Sequence, residues 1–146
     1  MSALYEKDFH AWCLEQSELL KSGSVENLDM ENLAEEMECL GRAERKELRS
    51  RLKVLFAHLL KLKFQPDYIG KQGWLGTISE QRSCIHTLID FSPSLKYCQE
   101  EVAINAYEKA VDDAEKEMGK QIPEFYRNIN TLFTLKEALD FSWLPQ

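Results

Sequence analysis

The stretch from Asp29 to Lys63 constrains the fold of this chain more than any other. Its apolar residues recur at steps of three and four, with one gap of eight, which is the spacing of one helix face. We therefore predict one continuous α-helix, about 50 Å long at a rise of 1.5 Å per residue. The apolar positions are Leu33, Met37, Leu40, Leu48, Leu52, Leu55, Leu59 and Leu62.

A carboxylate stands in the gap of this apolar series. Glu44 lies within about 20° of the line through the apolar positions, at 100° per residue. A lone buried carboxylate is costly and takes up a proton unless a partner holds it. Arg82 lies on the inward face of the next predicted helix, and a guanidinium suits bidentate pairing with a carboxylate. The sequence therefore predicts a buried Glu44–Arg82 ion pair.

This predicted pair has two interpretations. In the functional one, it forms the floor of a small polar site with Gln81 and His58. In the structural one, it fixes the register of two helices, as buried pairs at helix crossings often do. We favour the structural interpretation. It predicts that Glu44→Ala alone destabilises the protein strongly, whereas apolar replacement of both partners is tolerated.

Five basic residues lie on the face of the long helix opposite the apolar positions. Such a ridge is the footprint expected of a phosphate-binding surface. The alternatives are a solvated face, or a docking surface for acidic groups of the same chain or of a partner. The net charge of −7 and the pI near 5.0 argue against nucleic acid as the main partner. The ridge consists of Arg42, Arg45, Lys46, Arg49 and Lys53.

The remaining sequence predicts further helices and no strand, since no run alternates apolar and polar residues. We expect an all-α fold: a bundle of four main helices, one of them long and central, with a short C-terminal helical extension. At 146 residues the chain is predicted to be one domain over residues 1–146. The other predicted helices are Tyr5–Lys21, Trp74–Phe91, one from Ser92 to Met118 closed by Gly119, and one begun by a capping box at Thr134 and Glu137.

Composition and cysteine spacing exclude several classes of protein. The four cysteines form no CxxC pair and no zinc-like pattern, so free thiols in a reducing compartment are expected. The first residues lack the pattern of a signal peptide, and the longest apolar run, Val54–Leu60, is too short to span a membrane. A zinc site made from His10, His58 and His86 fails because His10 lies off the apolar face of its helix. We expect a cytoplasmic protein with no metal, no other cofactor and no membrane association.

Several strings resemble one known family. They are LDMENLAEEMECLGRAERKELRSRL, LLKLKFQP, Trp74, QR at 81–82 and SPSL at 92–95, together with the opening YEKDFHAWCLEQSELL and the closing TLKEALD. Their combination resembles the bacterial family catalogued as domain of unknown function 29, which is common in cyanobacteria. His10 departs from the family, where an aromatic residue is more typical. The resemblance implies an all-helical fold and no activity, so it carries over no catalytic residue.

Three functional hypotheses follow from these observations. The leading one is a small helical protein-interaction or regulatory module without catalysis, with a homodimer through the long helix as one form. It is motivated by the apolar and aromatic residues at both chain ends and by the length of the long helix. The second is a nucleic-acid-associated regulator that uses the basic ridge. The third is a metal-binding enzyme or hydrolase at a pocket formed by Glu44, His58, Gln81 and Arg82.

Overall fold

A computed structural model of the protein describes residues 3–146, and these residues form helices and turns without a strand. The all-α fold with one long helix and a short C-terminal helix is confirmed. The α-helices are α1 (Ala3–Lys7), α2 (Phe9–Lys21), α3 (Met30–Phe64), α4 (Lys71–Phe91), α5 (Gln99–Met118) and α6 (Leu135–Leu139). Three short 3₁₀ helices lie at Val25–Asn27, Pro93–Tyr97 and Glu124–Arg127.

The long helix α3 agrees with its prediction to within one residue at each end. The carboxylate of Asp29 accepts a hydrogen bond from the backbone N–H of Asn32 at 3.4 Å, which satisfies one of the free amides of the first turn. Pro66 follows two residues after the end of the helix, where its ring cannot continue helical geometry. Local sequence signals therefore set both ends of this helix.

Two of the other predicted helices differ from the structure. The first is split at Asp8, whose side chain accepts a hydrogen bond from the backbone N–H of Ala11 at 3.0 Å and so starts a new helix. The fourth begins as the 3₁₀ helix Pro93–Tyr97 and becomes α-helical only at Gln99. Ser92 does not cap it, since its hydroxyl group bonds elsewhere. Gly119, with φ of +69°, ends α5 as predicted.

The contacts of the chain define two compact units, with the boundary inside α3 between Ala43 and Glu44. The first unit is a helical hairpin made of α1, α2 and the start of α3. Trp12 is buried and donates its indole N–H to Asp29 at 3.1 Å, while the side chain of Gln16 accepts the backbone N–H of Asp29 at 2.8 Å. Asn32 adds a further hydrogen bond to the same carboxylate at 2.8 Å. A polar cluster, more than an apolar core, therefore joins these helices.

An aromatic residue of α1 also ties the hairpin together. The hydroxyl group of Tyr5 donates a hydrogen bond to Glu36 on α3. This hydrogen bond raises the pKa of Tyr5 to about 12, because loss of the proton would break the bond and place a phenolate beside the negative carboxylate. The ring of Tyr5 also contacts that of Trp12 edge-on, with 4.8 Å between the ring centroids.

The second unit, from Glu44 onward, contains the main apolar core. The leucines of α3 meet the isoleucines of α4 and an alanine-rich face of α5, where small side chains allow close packing. Tyr107 is buried among them and donates its hydroxyl group to the backbone carbonyl of Tyr126 at 2.8 Å, and burial raises its pKa to about 12. Completely buried members include Leu48, Leu52, Leu55, Leu59, Ile85, Ala103, Ala106, Ala110 and Ala114.

The apolar residues of α3 are therefore buried in one unit and exposed in the other. In the second unit, Leu48 and Leu52 are 0 % exposed. In the first unit, Met37 and Leu40 are 66 % and 64 % exposed, although they continue the same helical spacing. The expectation that the whole series lies in the core is wrong for these residues, because the hairpin offers them no covering element. None of the helices in the described part of the chain is long and apolar enough to cross a bilayer.

A matched pair of substitutions tests this division of α3. We expect Leu52→Ala to lower the free energy of unfolding by about 2–5 kcal/mol, because it leaves a cavity in a closed core. Leu40→Ala should change it by less than about 0.5 kcal/mol, since alanine is a good helix former and little burial is lost. Urea unfolding followed by circular dichroism measures both. A large effect of Leu40→Ala would contradict the exposure of this position.

Candidate functional site

Arg82 is the most deeply buried charged residue of the predicted site, at 2 % exposure. Its Nε donates to the carbonyl of Ala138 and its Nη2 to the carbonyl of Trp143, both at 2.7 Å. Burial lowers the pKa of Arg82, while the charge of Asp140 opposes this shift. Two backbone carbonyls thus take the place of the predicted carboxylate.

The neighbouring turn of α4 contacts the same segment. His86 lies one turn after Arg82, and its Nε2 donates to the carbonyl of Leu139 at 2.9 Å. Its ring stacks on that of Phe141, with 5.0 Å between the centroids. The carbonyls of residues 138 and 139 belong to the last turn of α6, where the helix dipole favours a cation. Arg82 and His86 therefore fix the C-terminal segment on α4.

Glu44 lies elsewhere, and the predicted Glu44–Arg82 pair is wrong. Glu44 is half-buried and accepts a hydrogen bond from the hydroxyl group of Ser92 at 3.1 Å. Ser92 follows the last residue of α4. Arg82 lies ten residues earlier, and the helical rise therefore separates it from Ser92 by about 15 Å along the helix axis. The predicted strong destabilisation by Glu44→Ala loses its basis, since Arg82 is bonded to backbone carbonyls and the substitution leaves no buried cation without a partner.

Glu44 instead borders an open groove of about 630 Å³ between α3 and α4. Arg51 lies in this groove and donates to Glu47 at 3.1 Å and to the side chain of Gln81 at 3.3 Å. Gln81 is thus connected to the groove through Arg51 and not through Arg82. The lining residues are Glu44, Glu47, Arg51, Ser83, Cys84, Thr87, Leu88, Phe91 and Ser92.

His58 cannot join this groove. It lies fourteen residues after Glu44 on the same helix, which separates the two by about 21 Å along the axis. Its Nδ1 donates to the carbonyl of Val54 at 2.8 Å, as expected for a packed histidine. Burial lowers the pKa of His58, and the positive charge of Lys61 lowers it further. The four residues of the predicted polar site are therefore not brought together.

Sequence reasoning missed a buried cation one turn from His58. Lys61 is 5 % exposed, forms an ion pair with Glu117 of α5, and lies 5.0 Å from the centre of the Trp74 ring. It lies four residues after the buried Ala57, on the same side of α3, and the predicted apolar positions of this helix did not include that side.

The basic ridge is partly neutralised by acidic residues of the chain itself. Arg45 lies 3.6 Å from Glu101, and Lys53 lies 3.7 Å from Asp113, both acids being on α5. The interpretation in which acid of the same chain docks on this face therefore holds for these two residues. Within the first unit, Arg42 lies 3.9 Å from Glu35 and 3.7 Å from Glu38. Among the described residues, Lys46 and Arg49 form no ion pair or hydrogen bond.

The groups that could bind a metal are dispersed. Across residues 3–146, no three His, Cys, Asp or Glu side chains come close enough to share a metal ion. His10 is exposed on α2. The four cysteines are free thiols, with Cys39 exposed and Cys13, Cys84 and Cys98 half-buried.

An exposed apolar surface on the first unit is the most prominent feature that packing leaves unexplained. Met30, Met37 and Leu40 are 64 %, 66 % and 64 % exposed, and Leu33 between them is half-buried. Their spacing of three, four and three residues keeps them within an arc of about 80° on α3. We call Met30, Leu33, Met37 and Leu40 the hairpin stripe. Of the fifteen large apolar residues that are exposed within residues 3–146, seven lie in this unit.

Comparison with known proteins assigns the chain to a family. The sequence model of the family described as "Domain of unknown function DUF29" matches residues 4–144. The chain belongs to this family. No curated protein and no solved structure matches it. Because the DUF29 description states no activity, the function must be argued from the surfaces of the chain itself.

The role of Arg82 in this DUF29 chain can be tested by substitution. We expect Arg82→Met to lower the free energy of unfolding by about 2–4 kcal/mol, because two carbonyls lose charged donors. Hydrogen exchange should accelerate for the backbone amides of residues 135–143, which those bonds hold in place. Arg49→Met, which removes an unpaired cation of α3, is the control. Unchanged protection of residues 135–143 in Arg82→Met would show that other contacts hold this segment.

The lowered pKa of His58 predicts a pH dependence of stability. Because the pKa of His58 is below 6.5 in the folded state, the His58 side chain binds a proton more readily in the unfolded state than in the folded state. The free energy of unfolding should therefore decrease as the pH falls through 6.5 towards the lower folded pKa. His58→Gln should reduce this slope, as seen in urea midpoints between about pH 7.5 and pH 5.5. His10→Gln, at an exposed position, should keep it, and equal slopes for both variants would refute the assignment.

Proposed function

We propose that this DUF29 chain is a helical protein-interaction module and that the hairpin stripe is its docking surface. The observation that carries the proposal is the exposure of Met30, Met37 and Leu40 on the same helix whose later leucines are completely buried. Monomeric proteins seldom leave neighbouring large apolar side chains exposed unless the surface binds something. Burial of each such side chain against a partner contributes about 1.5–3 kcal/mol.

The hairpin itself supports this role. Its buried residues with described positions are Trp12, Gln16 and Asn32, two of which are polar. A unit with so small an apolar core gains stability when a partner covers its exposed residues. The four free thiols are in keeping with a reducing compartment, and we propose a cytoplasmic location on that basis.

Neither alternative has an equally specific observation in its favour. Three of the five ridge residues are engaged by acidic groups, which reduces the positive field that a nucleic acid would require. The polar pocket proposed for a hydrolase or metal enzyme loses His58 and Arg82 to separate structural roles. A protein partner at the hairpin stripe is therefore the function that the geometry supports best.

Polar substitution of the stripe tests this function. Met37→Gln with Leu40→Gln keeps good helix formers at both positions, so circular dichroism should show an unchanged helix content. We expect the double variant to lose proteins that the unaltered chain retains from an extract of its native host. For a retained protein that is then purified, the dissociation constant should rise at least about tenfold per lost apolar anchor.

The matched control for this experiment is Ile104→Gln. Ile104 is 51 % exposed on α5, in the second unit, so the variant replaces an exposed apolar side chain outside the stripe. It should retain the same proteins as the unaltered chain. If the unaltered chain, the double variant and the Ile104→Gln variant all retain the same proteins, the stripe is not the docking surface.

A further inference from the structure

We infer that the occupant of the hairpin stripe is a basic amphipathic helix of a partner protein. The inference rests on the proposed function of the stripe and adds the chemistry of the partner. Its basis is the distribution of charge. The first unit contains ten acidic and three basic residues, a net charge of −7, whereas the second contains fifteen of each. The entire net charge of the chain thus lies on the unit that carries the stripe.

Two acidic residues lie beside the stripe as well as in the same unit. At 100° per residue, Asp29 and Glu36 lie about 60° and 80° from the centre line of the stripe, on the same side of it. Glu31, Glu35 and Glu38 lie about 120–180° from that line, on the far side of the helix. The single basic residue on this segment, Arg42, already faces Glu35 and Glu38. Glu31 is exposed and has no partner among the described residues. A partner that covers the stripe therefore meets Asp29 and Glu36 on one side and lies within the negative field of the whole unit.

The spacing of the stripe suits a helix as its ligand. Its four apolar residues extend over about 15 Å along α3, which is the length of about three turns. A second helix can place apolar side chains between them, as in a coiled-coil seam. Residues that flank the seam of such a partner enter the negative field of this unit, where Lys or Arg is favoured and Asp or Glu is disfavoured. Apolar and electrostatic complementarity therefore specify the same kind of helix.

Charge also argues against a second copy of this chain as the occupant. A symmetric dimer through the stripe would place two surfaces of net charge −7 against each other. Residues 26–38 contain six acidic and no basic residues, so antiparallel pairing of two such segments places acidic residues against acidic residues. A nucleic acid has the wrong sign of charge for this acidic unit. A basic helix covers the apolar residues and also avoids the repulsion between two acidic surfaces.

The test uses two designed helical peptides of about 18 residues, long enough to cover the stripe. Both carry leucine along one face; the other positions are lysine in one peptide and glutamate in its counterpart. Binding to the full chain is measured by fluorescence anisotropy. We expect the lysine peptide to bind at least about tenfold more tightly than the glutamate peptide.

Variants separate apolar docking from simple charge attraction. Met37→Gln with Leu40→Gln should weaken binding of the lysine peptide at least about tenfold, while Ile104→Gln should leave it unchanged. Glu31→Gln with Glu38→Gln removes two charges from the far side of α3 without altering the stripe. It should weaken binding of the lysine peptide by about twofold, and this difference should decrease as salt is added.

Each other result overturns the inference. If the stripe variant binds the lysine peptide as tightly as the unaltered chain, charge alone attracts the peptide. If both peptides bind equally and both require the stripe, the stripe remains a docking surface but does not select a basic partner. A dimer that light scattering detects and that the stripe variant dissociates would make a second copy the occupant. If neither peptide binds, the inferred partner chemistry is wrong, and retention of native-host proteins still tests the docking role independently.

Discussion

The burial of the α3 leucines is the interaction on which the second unit depends. Leu48, Leu52, Leu55 and Leu59 are completely inaccessible to solvent, and α4 and α5 contribute the side chains that surround them. The apolar spacing of three and four residues occurs in the α3 segment of each unit. The same periodicity that builds this core therefore also produces the exposed stripe of the first unit.

Periodicity and local capping explain why most of the fold was predictable. Asp29, Gly119 and the capping box at Thr134 act over three or four residues, so the sequence contains both partners of each interaction. The break at Asp8 was missed, although its preference for a helix N-terminus is equally local. At the start of the fourth helix, by contrast, the hydroxyl group of Ser92 donates to Glu44, a residue distant in sequence, and does not cap the helix.

The candidate site was less predictable because its partners are distant in sequence. The expectation that Arg82 faces inward agrees with its burial, but its acceptors are backbone carbonyls 56 and 61 residues away. Every residue has such a carbonyl, so side-chain identity cannot reveal this choice. The separation of Glu44 from His58 follows from helical rise alone and could have been recognised from the sequence. The single-domain assignment over residues 1–146 stays a prediction.

Charge resolves an ambiguity that apolar spacing leaves open. A row of leucines and methionines on a helix is equally suited to a core, to a second copy or to another protein, since apolar burial has no directional preference. Electrostatic interactions are selective, because they disfavour like-charged surfaces while apolar contact favours all of them. The neutral second unit packs its leucines within itself, whereas the hairpin combines its exposed residues with seven excess negative charges. That combination gives the hairpin an affinity for apolar surfaces and restricts it to those that carry positive charge.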